Sequence, residues 1–291
     1  MSNSDQIQRI LFDQIDVRGV VARVEESYRE VLSRASYPPV IQRVLGEMLA
    51  AVSLLSSNLK FEGRLLLQAQ GEGALRVLMA ECRHHHELRA IARFDGEIDD
   101  AAAFNELLVN GRLALTIEPD DGQRYQGVVP LEGATLADCL ESYFRQSEQL
   151  GTTIKLAADG QRAAGMLLQV LPAAGTGDDD WQRIGMLAST LRDEELLELD
   201  NETMLFRLFH EEQCRLYEPE PLQFKCDCTR SRSAHALQMM TEEELLGLAQ
   251  EHGGVIEVSC HFCNELYRFD SADIKALFSN GGPMEAPEQV H

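Results

Sequence analysis

Two pairs of cysteines near the C-terminus constrain this chain more than any other feature. Cys226-Asp227-Cys228 and Cys260-His261-Phe262-Cys263 are separated by the 31 residues 229–259. A folded insert that brings two such pairs together sets four sulfurs at the corners of a tetrahedron, the arrangement that structural zinc prefers. Cys226, Cys228, Cys260 and Cys263 are therefore read as ligands of one Zn2+ per chain in the reduced protein. The one-residue spacer of the first pair turns both thiols to the same side of an extended chain. A disulfide between them would close a small, strained ring, and strain makes a disulfide easier to reduce. Lys225, Arg230, Arg232 and Arg268 stand close in sequence. A cation beside a thiol favours the thiolate, the form that binds metal and reacts with oxidants. On chemistry alone two readings stay open. Either the site holds zinc when reduced and loses it on oxidation, or the cations only offset the charge of four thiolates around a divalent ion.

The chain has 291 residues, 44% of them hydrophobic, enough for one large domain and a small one. Its 48 acidic and 26 basic residues give a formal charge of -22, which repels phosphate backbones and anionic membrane surfaces, so neither nucleic acid nor a membrane is an expected partner. Seven cysteines, four of them in metal spacing, fit a reducing compartment better than a secreted disulfide framework. The N-terminal residues carry no basic region leading into an apolar run, and the most apolar stretches, around Leu49–Leu55 and Gly165–Ala174, fall short of the ~20 residues a membrane helix needs. A cytoplasmic location is expected.

Along the chain, residues 5–12 carry a short helical pattern and Val17–Val24 the β-branched pattern of a strand. Pro38 and Pro39 sit where a helix can begin. Val40, Val44, Leu45, Met48, Leu49, Val52 and Leu55 then recur at helical spacing, which reads as a core helix. Strand-like runs follow at 64–69, 74–80, 87–93, 112–117 and 124–129, separated by turns such as Gly71-Glu72-Gly73 and Asp121-Gly122. Thr135-Leu136-Ala137-Asp138 resembles a helix start, with the helix running through Gln149, and two further strands are expected at 152–157 and 163–171. This is an α+β fold, with an N-terminal domain of sheet and helices over residues 1–176.

Near Gly175-Thr176-Gly177 the composition changes. Residues 178–220 hold thirteen acidic and four basic side chains, yet Trp181, Ile184, Leu187 and Leu191, and again Met204, Leu205, Leu208 and Phe209, recur at helical spacing. Short, self-repelling helices with apolar faces need a surface to lie on, so residues 177–221 are read as a metastable acidic helical linker that folds while docked on the N-terminal domain. The other reading is an acidic helical hairpin that never detaches.

Residues 222–291 form the small C-terminal zinc-binding domain. Helices are expected over 233–240 and 241–250, the second with Thr241 and Glu244 at capping-box spacing, then a strand at 255–258, the second cysteine pair, and a strand at 265–269. Strand, C-x-x-C, strand is a knuckle, whereas a thioredoxin-like motif would open a helix with its cysteines. The tail 281–291 reads as frayed. His84-His85-His86 lie in a turn between strands, where three consecutive side chains point apart, which argues against a metal site. Cys139 reads as a buried structural cysteine, and Cys82 and Cys214 have no neighbours at metal spacing. Neither the zinc-deaminase signature nor a phosphate-binding glycine loop is present, so ATP use is not implied.

Lys225-Cys226-Asp227-Cys228 with Arg230, followed by Cys260-His261-Phe262-Cys263 and a Tyr-containing strand, resembles the redox-regulated 33 kDa heat-shock chaperone family. Upstream stretches agree: Leu59-Lys60-Phe61-Glu62-Gly63, Arg124 to Val129 with Leu131-Glu132-Gly133, and Ala164 to Val170. The resemblance runs over nearly the whole chain. It implies an ATP-independent holdase rather than an enzyme, with residues 222–291 as its redox switch. It further implies that oxidation forms the disulfides Cys226–Cys228 and Cys260–Cys263 and expels zinc, and that unfolding client proteins are the partners, held under oxidative stress by a form that dimerises when oxidised. Two rivals remain: a constitutive binding adaptor with purely structural zinc and an acidic docking surface, and, third, a thiol oxidoreductase working through Cys260 and Cys263.

Overall fold

A computed structural model describes residues 4–57, 59, 62–171 and 178–279. Residues 5–12, expected to be helical, instead supply strand β1 (Gln6–Phe12), a correction with a clear cause. Ile7, Ile10 and Leu11 do satisfy a helical period, but β1 finds an antiparallel partner in β2 (Val17–Val24), and pairing sends Ile7 to one face and Ile10 and Phe12 to the other. Helix α1 (Glu26–Leu32) follows, its N-terminal N–H groups bonded by the buried carboxylate of Asp5 at 2.6–2.8 Å. The expected core helix is α2 (Pro39–Ser56), opened by proline.

Strands β3 (Gly63–Gln70), β4 (Leu75–Arg83) and β5 (Glu87–Phe94) lead through the short helix α3 (Phe104–Leu107) to β6 (Arg112–Pro119) and β7 (Tyr125–Pro130). Helix α4 (Leu136–Tyr143) is capped as expected, Thr135 Oγ1 accepting from Asp138 N at 3.1 Å. It ends in a π-helical turn, Phe144–Glu148, stopped by left-handed Gln149. The hairpin β8 (Thr152–Ala158) and β9 (Ala163–Val170) completes the region. The composition change at 175–177, and with it the 176/177 boundary, lies outside the described residues. The acidic segment then forms α5 (Asp178–Ser189), α6 (Asp193–Glu198) and α7 (Asn201–Phe209), and short strands β10 (Cys214–Leu216), β11 (Glu220–Pro221) and β12 (Gln223–Phe224) bring the chain to Lys225.

Two six-stranded sheets result. The first has the order β10-β1-β2-β9-β8 with β11 also on β1, and the second the order β12-β5-β4-β3-β6-β7. Helix α2 lies between them. Its Leu45, Met48 and Leu49 join one apolar cluster with Val20, Ala22 and Leu167 of the first sheet and Leu65, Leu78 and Leu88 of the second. Burying each such leucine contributes about 1.5–3 kcal/mol. Gly46 permits this approach, since a Cβ there would come within 2.6 Å of Ala158 Cβ and 2.8 Å of Tyr28 Cζ. By length and composition α2 is the one helix among the described residues able to cross a membrane, but 78% of it is buried as the centre of this core.

The other face of the first sheet carries α5, α6 and α7. Ile184, Ala188, Leu191, Leu196, Met204 and Phe209 form a second cluster with Ile10, Phe12, Val17, Val21, Met166 and Leu168. The acidic segment therefore lies on a surface, as its apolar spacing requires. Arg23 of β2 fastens it: Nε donates to Asn201 Oδ1 at 2.7 Å, Nη1 to Leu197 O at 3.3 Å, and Nη2 to Leu199 O. Asn201 Nδ2 in turn donates to Gln8 Oε1 at 2.8 Å. Arg183 to Glu212 at 2.8 Å and Arg207 to Glu195 at 2.6 Å offset part of the repulsion among the carboxylates.

Contacts divide the chain into two compact units, Met1–Lys225 and Cys226–His291. The second holds α8 (Arg230–Leu237), α9 (Glu242–Glu251), the hairpin β13 (Val255–Ser259) and β14 (Leu266–Asp270), and α10 (Ser271–Ser279), a helix the sequence reading does not include. Among the described residues its buried apolar side chains are only Ala234, Leu245, Ala249, Ile256, Phe269 and Ile274. The tail 281–291 lies outside the described residues.

Candidate metal centre

Each thiol pair is presented by a short backbone device. Cys226 and Cys228 precede α8, whose N-cap Thr229 accepts from Arg232 N at 3.2 Å. Cys260 and Cys263 sit in the turn between β13 and β14. Cys260 N donates to Glu265 O at 2.9 Å and Asn264 N to Cys260 O at 2.8 Å, and Asn264 takes a left-handed φ of 57° to close the turn. This is the expected knuckle between strands.

The structure brings all four cysteines together, with their sulfurs within 4.8 Å of one another. Cys226 Sγ lies 3.6 Å from Cys260 Sγ, and Cys228 Sγ 3.3 Å from Cys263 Sγ. Tetrahedral bonds of about 2.3 Å to zinc place sulfurs roughly 3.8 Å apart, so the donor set matches a four-thiolate site in chemistry and in size. No disulfide joins any of the seven cysteines. Among the described residues no other group of three or more His, Cys, Asp or Glu gathers this closely.

Four thiols this close do not ionise alike. Burial pushes the Cys226 thiol up, reinforced by the thiols of Cys228 and Cys260, and pushes Cys263 up too, again with its three neighbours reinforcing. Cys260 is also raised by burial, but the N–H groups of Cys263 and Phe262 and the thiols of Cys226 and Cys263 outweigh this and bring it below the usual thiol value. The Tyr267 hydroxyl donates to Cys228 Sγ at 3.3 Å, a bond that raises the phenol. Tyr267 is the outer partner that sequence reasoning missed. Tyr267 lies on β14 just after the second thiol pair, opposite Val258 of β13, and its hydroxyl reaches Cys228 of the first pair.

The four nearby cations are each committed to a carboxylate. Lys225 pairs with Glu87, Arg232 with Asp227, Arg230 with Asp273 at 2.7 Å and Arg268 with Glu257 at 2.8 Å. Arg230 also lies over the Phe269 ring, 4.6 Å from its centroid, and donates to Arg268 O at 2.9 Å. Their sequence proximity to the thiols thus overstates their share of the local field.

The remaining candidates are structural. His84 and His85 occupy the β4–β5 turn with positive φ and face different partners, His84 Nδ1 meeting Glu62 at 3.0 Å and His85 Nδ1 meeting Ser56 O at 2.9 Å. Cys82 and Cys139 are buried, and Cys214 is half-buried on β10. Burial raises Cys82 to about 12, and burial with Glu212 and Asp13 raises Cys214 to about 11. At pH 8 the thiolate fraction of Cys82 is then about a thousandfold below that of an ordinary thiol. Timed alkylation of the native protein, read by peptide mass mapping, is expected to leave Cys82 unlabelled long after denatured controls are complete.

The family model described as Hsp33 protein matches residues 5–270. The 33 kDa chaperonin of Pseudomonas fluorescens strain SBW25 is 48% identical over 296 residues, covering 100% of this chain and 98% of its own. That of Pseudomonas paraeruginosa strain PA7 is 50% identical over 288 residues, 97% of each. The crystal structure of a 33 kDa chaperonin (heat shock protein 33 homolog) from Thermotoga maritima superposes with a TM-score of 0.83, covering 95% of this chain and 98% of that one at 22% identity, which speaks to the shared fold. The family model and these relatives, together with the α+β fold and the C-terminal four-cysteine cluster, set the class as a chaperone family. The chain belongs to the Hsp33 family.

Proposed function

We propose that this protein is a redox-regulated, ATP-independent holdase working in the cytoplasm, inactive while reduced and zinc-bound, and switched on by oxidation of its four clustered thiols. The observation that carries this is the pairing of a thiol cluster of zinc size with a unit that buries only six apolar side chains among its described residues. Bound zinc supplies the cross-links that so small a core does not. Cys226, Cys228, Cys260 and Cys263 would hold it, with Tyr267 steadying the Cys228 sulfur by its hydrogen bond.

Oxidation follows thiol chemistry. One thiolate attacks peroxide, an S–O bond forms as the O–O bond breaks, and hydroxide leaves; a second thiol displaces the sulfenic oxygen as water, so two thiols and one peroxide give one disulfide and two waters. The pairs Cys226–Cys228 and Cys260–Cys263 come from family resemblance. Chain statistics support them, because once the unit loosens, sulfurs two or three residues apart meet more readily than those 34 or 35 apart. Disulfide sulfurs no longer serve as thiolate ligands, and the unit loses its source of stability.

Residues 226–291 join the rest of the chain directly after β12. Disorder beyond Cys226 spreads back through β10–β12 to α5–α7, whose apolar faces and the sheet beneath them, Phe12, Val17, Val21 and Met166 among them, become exposed and hold the apolar surface of unfolding clients. Oxidised subunits dimerise on this reading. The test is light scattering from a thermally unfolding client with the reduced, zinc-loaded protein or with the same protein after peroxide at mildly raised temperature. Suppression by the oxidised sample alone is expected; equal behaviour of the two would return the protein to the constitutive adaptor reading.

A further inference from the structure

Strand β8 ends the first sheet, and among the described residues only β9 pairs with it. Asp159 N donates to Arg162 O and Val170 N to Gly151 O, each at 3.0 Å, which fixes the parity of the hairpin: odd residues of β8 bond inward to β9. The main-chain groups of Ile154, Leu156 and Ala158 therefore point out of the sheet edge. At Ile154 the outward N–H donates to Glu141 Oε1 of α4 at 2.7 Å, so that a carboxylate stands where the carbonyl of a next strand would be. Among the described residues nothing bonds the outward N–H groups of Leu156 and Ala158.

These groups open onto a cleft of about 760 Å³, walled by α4, by Arg43 and Glu47 of α2, and by Gln182, Gly185 and Met186 of α5. Its volume lies in the range of ligand-holding clefts. The α5 wall is open: a Cβ on Gly185 would meet no atom within 4 Å, and Met186 is 65% exposed. Four carboxylates, of Glu47, Asp138, Glu141 and Asp193, face two cations, Arg43 and Lys155. Burial pushes the Glu47 carboxyl up to about 7, with Arg43 opposing and Asp193 reinforcing, and burial raises Glu141 against the bond from Ile154. An entering cation relieves both.

We propose that this cleft binds an extended polypeptide segment carrying basic and apolar side chains, which adds as a strand to the β8 edge at Leu156 and Ala158. Its cationic side chains lie against Glu47, Asp138 and Asp193. Unused main-chain donors and acceptors at a sheet edge are satisfied by another extended main chain, and an excess of carboxylates selects a basic one. The segment would touch α5 while α5 is still docked, so this cleft is separate from the apolar surface that oxidation exposes. This deepens the holdase reading and takes its cellular meaning from it.

The test uses the full-length reduced, zinc-loaded protein and a fluorescent ten-residue peptide of Val, Thr and two Lys, beside the same peptide N-methylated at alternate residues. Charge and side chains are nearly unchanged by methylation, but the strand donors are lost. The unmodified peptide is expected to bind at least about tenfold more tightly, to slow amide exchange at Leu156 and Ala158, and to be excluded by Gly185→Trp, which fills the cleft from a position with room for a side chain. Equal binding of both peptides, or binding with exchange at Leu156 and Ala158 unchanged, overturns the proposal. If the peptide fails while the oxidised protein suppresses aggregation, the cleft is refuted and the holdase reading stands. If the peptide binds as stated but oxidised protein suppresses nothing, the cleft stands and the holdase reading falls.

Discussion

Replacing Cys260 by Ser is expected to abolish tight zinc binding and to unfold residues 226–279 while the central strands of both large sheets stay intact. A structural four-ligand zinc site is worth on the order of 10–16 kcal/mol, and the unit it holds buries only six apolar side chains among its described residues, Phe269 the largest. Loss of one thiolate removes more than that core replaces. Metal content after competition with a chromogenic chelator reads the first part. Amide exchange reads the second, with protection lost across α8–α10 and β13–β14 and kept in β3–β6. The same experiment examines transmission. On the switch reading the exchange of α5–α7 also quickens, and the single tryptophan, Trp181 on α5, shifts its emission to the red. Full protection of α5–α7 in a protein whose thiol unit is unfolded would break the link between switch and linker. Chelation of the unmodified protein under reducing conditions should give the same pattern and reverse on adding zinc.

The second large effect is expected at the seam between the acidic helices and the first sheet. Phe209 of α7 is 2% exposed and packs edge-on against Phe12, ring centroids 5.2 Å apart. Phe209→Ala removes about 3–5 kcal/mol of packing, a sum that short helices rich in like charge do not recover elsewhere. The variant should suppress client aggregation without oxidant, and Trp181 should report the undocked state before any peroxide is added. Arg23→Ala approaches the seam by a polar route, since it strips the donors from Leu197 O, Leu199 O and Asn201 Oδ1. It should lower the oxidant or temperature needed for activity, by less than Phe209→Ala does. If Phe209→Ala stays inactive until oxidised, the docked helices do not gate client binding.

Much of this was legible in the chain itself, because the signals were local. The spacing of Cys226, Cys228, Cys260 and Cys263 fixes four soft donors in two turns, and the runs at 64–69, 87–93 and 112–117, set off by turn residues, read as the strands they are. Thr135 with Asp138 and Thr241 with Glu244 mark helix starts through bonds that span three residues. The apolar spacing of the acidic segment likewise announces a helix that needs a surface. Each of these depends on neighbours in sequence, so sequence alone determined them.

What the tertiary structure decided depends on partners far away in the chain. Gln6–Phe12 is a strand only because β2, β10 and β11 offer edges to it; its own spacing favours a helix. Arg23 becomes a fastener because the fold brings β2 under residues 197–201, and Tyr267 becomes a donor to Cys228 because the fold brings its hydroxyl to the first thiol pair. In sequence the four cations near the thiols read either as activators or as an offset to thiolate charge, but the fold gives each a carboxylate, two of them more than 40 residues away. Local hydrogen bonds and periodicity are written along the chain, whereas charge pairing, strand partnership and the open edge of β8 are settled by which surfaces meet. Those meetings are chosen by burial summed over the whole molecule, a quantity that no stretch of sequence carries alone.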